Sequence, residues 1–271
     1  MIEGDVFRLW ISCRLKDSIA LTESKDCINW SSPKVVLEPD QATGWEESVN
    51  RQFVLKYQNE YHMWYTGQNE KNSFIGYATS PDGVNWTRVS NKPVLAPALP
   101  WEKDSVMCPS VVWDDNRHLF LMWYSGGEQF EPDAIGYATS PDGIHWTKNH
   151  EPVFRPSGKE SEWDSYKVTG GQVLFLYDRY VMFYIGFREI DHATIGVAYS
   201  TDGVSNWKRI PANPIIKPGF YGSWDHDAVY KPFVIQNSEN WYLWYNGRKS
   251  TKEQIGLAIH EGEDLGYSRE N

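Results

Sequence analysis

The chain has 271 residues, a formal net charge of -10, 14 Trp and 16 Tyr. That length can bury a core without covalent staples, and the acidic balance argues against nucleic acid as a partner, since phosphate binding needs a basic surface. The three cysteines, Cys13, Cys27 and Cys108, have neither disulfide-framework nor metal-ligand spacing.

No apolar run reaches the roughly 18 residues of a membrane span. Residues 1–10 lack a signal peptide's basic start and apolar centre. A cytoplasmic protein with reduced thiols is therefore expected, without membrane or cofactor.

In chain order, the first candidate strand is the aromatic run from Phe7 to Ile11, followed by Ile19-Ala-Leu-Thr-Glu-Ser-Lys-Asp-Cys-Ile-Asn-Trp30. The second phrase returns as Ile75-Gly-Tyr-Ala-Thr-Ser-Pro-Asp-Gly-Val-Asn-Trp86, again as Ile135 to Trp146, and again as Ile195 to Trp207. A fifth copy, Ile255-Gly-Leu-Ala-Ile-His260, breaks off before its turn. Trp30, Trp86, Trp146 and Trp207 lie 56, 60 and 61 residues apart. Self-similarity at such a period marks a repeat architecture.

Each repeat carries four segments with strand chemistry. The first follows a Trp-acid pair (Trp45-Glu46, Trp101-Glu102, Trp163-Asp164, Trp224-Asp225) and is Val-rich; the second is aromatic and alternating, as in Tyr61-His-Met-Trp-Tyr65. The third is the Ile-Gly-Tyr-Ala run. Ser-Pro-Asp-Gly then turns the chain into a fourth, because Pro presets one turn position and Gly supplies positive φ. Four antiparallel strands in about five repeats, without helices, predict an all-β chain closed as a five-bladed β-propeller in one domain over 1–271. The first repeat has at most six residues ahead of Phe7 for its inner strand, and the last has no fourth strand after His260. About 18 strands and incomplete first and last blades are therefore expected.

Antiparallel geometry gathers strand-one starts, strand-two ends and the loops between strands two and three on one face. The Asp residues of the opposite turns repeat (Asp26, Asp82, Asp142, Asp202) and are read as turn formers, and the repeated acids Glu46, Glu102, Asp164 and Asp225 as structural. Catalysis needs a group once, so the informative residues break the repeat. Strand-one starts offer Glu47, Asn50, Arg51, Asp104, Met107, Cys108, Tyr166, Lys167, Thr169, Asp227, Tyr230 and Lys231. Strand-two ends and their loops offer Arg14, Gln68, Glu128, Glu131, Arg188, Asp191 and Arg248. Aromatics beside carboxylates suit a sugar. Two carboxylates suit glycosidic cleavage, and the cations suit an anionic sugar or phosphate. Cys108 reads as a packed thiol, and His62, His118 and His192 as packing or surface residues, with no metal implied.

The succession Asn-Pro-Val-Leu, Trp-Asp, Val-x-x-Pro, Met-Trp-Tyr-Ser-Gly, Ile-Gly-Tyr-Ala-Thr-Ser-x-Asp-Gly, Trp, spread from Phe7 to His260, resembles the five-bladed propellers of glycoside hydrolase families 43, 32 and 130. The resemblance implies a funnel with acidic catalytic residues on inner strands. It also marks a departure: those hydrolases often carry Arg-Asp-Pro, or an equivalent Glu, after the strand-one valine. The matching pairs here are Asn50-Arg51, Met107-Cys108, Thr169-Gly170 and Tyr230-Lys231, none with a carboxylate.

The catalytic candidates therefore come from mouth geometry: Glu128 as proton donor, with Asp104 or Asp227 as base. Asn50, Arg51, Gln68, Tyr166, Lys167, Arg188, Tyr230, Lys231 and Arg248 are the substrate-binding candidates. The expected activity is hydrolysis or phosphorolysis of a glycosidic bond in an oligosaccharide with anionic character, with inorganic phosphate as the possible second substrate. The alternative is a non-catalytic, lectin-like carbohydrate-binding propeller.

Overall fold

A computed structural model describes residues 1–130, 132–237, 240–262 and 265. The described chain is all β apart from three single 3-10 turns. Sheet one contains β1 (Ile2–Glu3), β2 (Val6–Cys13), β3 (Ser18–Ser24) and β4 (Lys34–Leu37). Sheet two contains β5 (Ser48–Tyr57), β6 (Glu60–Gln68), β7 (Ser73–Ser80) and β8 (Thr87–Arg88). Sheet three contains β9 (Ser105–Asp114), β10 (Leu119–Gly127), β11 (Pro132–Ser140) and β12 (Thr147–Lys148), and meets sheet two through one parallel pairing, Ser73 with Ser105.

Sheet four holds β13 (Lys167–Leu176), β14 (Arg179–Phe187), β15 (Ala193–Ser200) and β16 (Lys208–Arg209). Among the described residues, sheet five holds three strands, β17 (Ala228–Asn237), β18 (Asn240–Lys249) and β19 (Lys252–Glu261). Contacts divide the chain into two compact units, Met1–Phe130 with Ala138–His150, and Glu131–Tyr137 with Glu151–Asn271.

The short inner strand expected for the first repeat takes a definite form. β1 is a two-residue stub that pairs only with the beginning of β2, Ile2 with Phe7 and Glu3 with Val6. Among the described residues, no first strand pairs with the remainder of β2, from Arg8 to Cys13, and no strand follows β19 in sheet five. Ile75, Ile135 and Ile195 each bridge to a following segment and are at most 1% exposed, whereas their counterpart Ile255 is 48% exposed.

The repeated residues explain why each sheet forms. In the turn after the third strand, the Asp82 carboxylate accepts from the amides of Val84 and Asn85, and Ser80 Oγ donates to it. Asp26, Asp142 and Asp202 do the same; burial works to raise Asp142 and Asp202, but the summed hydrogen bonds outweigh it and hold all four carboxyls well below the usual carboxylate range.

The Trp-acid pairs build a lock inside each sheet. Glu46, fully buried, accepts from the Tyr65 hydroxyl at 2.9 Å and from Arg88 Nε at 2.7 Å. Glu102 takes Tyr124 and Lys148, and Asp164 takes Tyr184 and Arg209. A buried carboxylate needs such compensation. In sheet five, Asp225 has Tyr245 and Ser223 but no cation among the described residues.

Cores lie between neighbouring sheets. Trp10 and Ile19 pack with Met63 and Tyr65, while Trp64 and Ile75 pack with Met122 and Tyr124. Trp10 donates to the Gly83 carbonyl and Trp64 to the Gly143 carbonyl, so a second-strand indole grips the turn of the next sheet. In the second unit, Val181 and Val197 pack with Val229 and Leu243.

Candidate functional site

The edge that carries strand-one starts and strand-two ends is shaped by one repeated irregularity. Each ten-residue first strand contains a residue with positive φ: Arg51 at 48°, Cys108 at 54°, Gly170 at 55° and Lys231 at 55°. The pairing register shifts at the same place, between Asn50 and Phe53, between Thr169 and Gln172, and between Tyr230 and Phe233. These are β-bulges, which bend a strand and re-aim a side chain. Three of the four hold non-glycine residues, and left-handed backbone at such residues costs about 1–3 kcal/mol unless the surroundings impose it.

The surroundings do impose it. Arg51 N donates to Ser12 Oγ at 2.9 Å, and Cys108 N donates to Thr66 Oγ1 at 3.1 Å, so the preceding sheet accepts the displaced amide. The four positive-φ residues stand at the positions matched to the Arg-Asp-Pro pattern.

In the first unit the candidates join into one polar line. Arg51 Nη1 donates to Asn50 Oδ1 at 3.1 Å and to Gln68 Oε1 at 3.4 Å, and Asn50 Nδ2 donates to the same Gln68 oxygen at 2.7 Å. Gln68 Nε2 donates onward to Ser73 Oγ at 2.8 Å. Ser73 N donates to the Asp104 carbonyl, and Asp104 N to the Gly127 carbonyl, one residue before Glu128. Arg51 has no carboxylate partner among the described residues; two side-chain carbonyls orient its guanidinium and leave its charge uncompensated.

Glu128 is exposed, and its carboxylate lies 3.5 Å from Lys103 Nζ. Its loop is held by buried Gln129, whose amide donates to the carbonyls of Asn69 and Asn72. Asp104 and Glu47 are exposed, as is Phe130, while Met107 is buried and Cys108 half-buried. Arg14 lies in the 3-10 turn after β2. Glu131 lies outside the described residues.

In the second unit, Lys167 is buried at the start of β13, with Nζ 3.4 Å from Asp133 and 5.2 Å from the ring centre of Tyr166. Thr169 Oγ1 is buried without a hydrogen bond among the described residues. Arg188 and Asp191 are exposed on the loop after β14, where Arg248 Nη2 reaches the Asp191 carboxylate at 3.3 Å. His226 Nδ1 lies 2.8 Å from Asp227 Oδ1, and Ser250 N donates to Asp227 Oδ2 at 2.5 Å. The bond to His226, followed by that from Ser250, holds the Asp227 carboxyl below its usual range, so it is an acceptor or base rather than a proton donor. Lys231 Nζ lies 5.4 Å from the ring centre of Tyr230.

Ser12, Thr66, Gln129 and Asp133 escaped the sequence reading. A hydroxyl before the strand-two glycine (Thr66-Gly67, Ser125-Gly126) was a signal available for Thr66. Buried His62 stacks on Tyr77 and bonds its hydroxyl. Among the described residues there is no cluster of metal-ligating side chains.

Comparison with known proteins gives this arrangement a context. The chain is 28% identical to 1,2-beta-oligomannan phosphorylase of Thermoanaerobacter sp. (strain X514), over 86% of this chain and 76% of that protein. It is 32% identical to beta-1,2-mannobiose phosphorylase of the same strain over 159 residues, 53% of this chain, and spans about half of that relative's length (52%). Among solved structures, a glycoside hydrolase superposes with a TM-score of 0.79 at 21% identity, over 99% of this chain and 87% of that one. A thermostable family-43 glycoside hydrolase superposes with a TM-score of 0.73 at 16% identity, covering 97% and 88%. These neighbours share the β-propeller fold of the sheets described above. The glycosyl hydrolases family 32 N-terminal domain matches residues 20–165 and 115–267, nearly the whole chain between them, and the protein belongs to that family.

Proposed function

We propose that this chain cleaves a glycosidic bond in an oligosaccharide, and that the cleavage is phosphorolytic. The observation that supports this is Arg51, aimed by a bulge, oriented by Asn50 and Gln68, and without a carboxylate among the described residues. An uncompensated guanidinium suits a phosphate or another anionic group through paired hydrogen bonds. The similarity to two mannoside phosphorylases points the same way.

In the proposed reaction Arg51 holds inorganic phosphate, whose oxygen attacks the anomeric carbon. The bond from that carbon to the glycosidic oxygen breaks, and protonated Glu128 delivers its proton to the leaving oxygen. The products are a sugar phosphate and a shortened saccharide. Attack by phosphate needs one carboxyl rather than two, which suits an edge where cations stand at bulge positions. In the hydrolytic variant, water attacks with Asp104 as base. Within the second unit taken by itself, Tyr166, Lys167, Arg188, Tyr230, Lys231 and Arg248 are proposed as carbohydrate contacts.

A second reading has its own observation: no carboxylate stands at Arg51, Cys108, Gly170 or Lys231. A carbohydrate-binding protein without catalysis fits that fact. Incubation with β-1,2-linked mannooligosaccharides, with and without inorganic phosphate, followed by mass analysis, separates the readings. Sugar phosphate formed only with phosphate supports phosphorolysis, new reducing ends without it support hydrolysis, and binding without products supports the second reading.

A further inference from the structure

The loop leading into β17 differs from its sisters. Those loops carry Gln41-Ala42-Thr43, Ala98-Leu99 and Ser157 to Glu162 before their Trp-acid pairs, with no aromatic residue. This one reads Gly219-Phe-Tyr-Gly222, and its two aromatic side chains are 85% and 90% exposed.

The backbone beneath them is held. Ser223 N donates to the Phe220 carbonyl at 3.0 Å, closing a turn. Lys249 Nζ donates to the Gly222 carbonyl at 2.9 Å, tying the loop to the end of β18. Gly219 lies so close to Ser223 and Asp225 that a Cβ there would fall 2.2 Å from Ser223 Oγ. An unconstrained tip would turn large apolar rings toward any available cover. Here a pinned turn displays two of them.

Their neighbours are polar and belong to the candidate edge. Tyr221 meets His226 edge to face, with ring centres 5.3 Å apart. His226 in turn bonds Asp227, whose second oxygen accepts from Ser250.

We propose that Phe220 and Tyr221 form a stacking platform for a sugar ring of a longer chain, with His226 and Asp227 bonding its hydroxyls. Apolar ring faces beside a hydrogen-bonding imidazole and carboxylate match a pyranose or furanose, whose C–H face is apolar and whose rim is polar. A protein partner would be met by a wider apolar surface than two side chains flanked by Lys217, Lys249 and Asp227 provide. The platform rests on the carbohydrate reading above but not on cleavage. It would set the preferred length of saccharide.

The test uses the full chain and a glycan array of di- to hexasaccharides of mannose, fructose, arabinose and xylose, with product analysis in parallel in the presence of inorganic phosphate. Wild type is expected to bind longer members more tightly. Phe220→Ala/Tyr221→Ala should lose about tenfold on those, the scale of one to two aromatic contacts, with little change on disaccharides. Tyr221→Trp should keep the dependence on length, which a merely disturbed loop would not. Unchanged length dependence in the double variant overturns the platform while leaving the cleavage reading intact. Binding that depends on length without any product overturns cleavage and supports the platform. A wild type that binds no glycan overturns both. If the double substitution instead abolishes self-association in solution and leaves sugar binding as it was, the pair is a contact between copies and the proposal fails.

Discussion

The amide of Cys108 donates to the hydroxyl of Thr66 at 3.1 Å, and this bond joins one sheet's left-handed bulge to the neighbouring sheet's second strand. Ser12 does the same for Arg51. The bulges that aim the candidate residues are therefore set from outside the strand that contains them. Thr66 is fully buried, so Thr66→Val should remove an acceptor from the half-buried Cys108 amide and cost about 1–3 kcal/mol in urea unfolding. Thr66→Ser, which keeps the acceptor, should cost much less; equal losses would place the effect in packing.

Arg51 carries a conflict between comfort and use. At φ 48° glycine is favoured, so Arg51→Gly should hold or raise the thermal midpoint while phosphate-dependent turnover falls by at least tenfold. Arg51→Val, β-branched at the same φ, should lower the midpoint. Activity retained in the glycine variant would remove Arg51 from the site.

Glu128→Gln keeps shape and removes the donated proton. A loss of about 10²–10⁴ in turnover is expected, with unchanged circular dichroism. The loss should shrink for substrates with an activated leaving group, which need no proton. An equal loss on both kinds of substrate would mean that Glu128 acts by binding.

The locks inside the sheets make a different forecast. Lys148→Met leaves fully buried Glu102 with the Tyr124 hydroxyl and the amides of Ala98 and Leu99 but without its cation, and should cost about 3–5 kcal/mol. Adding Glu102→Gln should recover much of that, because the cost lies in the stranded charge rather than in the absent bond.

The same locks set the alkaline limit. Burial, and then the facing carboxylate, pushes the hydroxyls of Tyr65, Tyr124 and Tyr184 far above their ordinary value of 10.0 and that of Tyr245 up to about 12. The folded chain keeps these protons when the unfolded chain has begun to lose them. Their contribution is therefore complete below about pH 10 and declines as pH rises beyond it. Stability measured from pH 8 to 12 should fall more shallowly in Tyr65→Phe and Tyr184→Phe than in wild type; parallel curves would show that the phenols do not govern the limit.

The strand-two glycines mark another tight place. A Cβ on Gly126 would come within 2.4 Å of the Trp101 ring, so Gly126→Ala should destabilise by about 1–3 kcal/mol, detectable as a lower thermal midpoint.

Sequence alone determined the period, the four segments of each repeat and the turn chemistry. Ser-Pro-Asp-Gly, alternating aromatics and the Trp-acid pairs act over a few residues, and local sterics and hydrogen bonding are written in order along the chain. The same reasoning separates repeated acids from unrepeated ones, and the repeated Glu46, Glu102 and Asp164 each sit in a buried lock. Tertiary structure alone decided what meets what. That Ser12 accepts the amide of Arg51, that Gln129 clamps the Glu128 loop and that Asp133 faces Lys167 depend on pairs 39, 57 to 60 and 34 residues apart. Such contacts follow from bulges and register shifts, which move a side chain without leaving any local mark in the sequence.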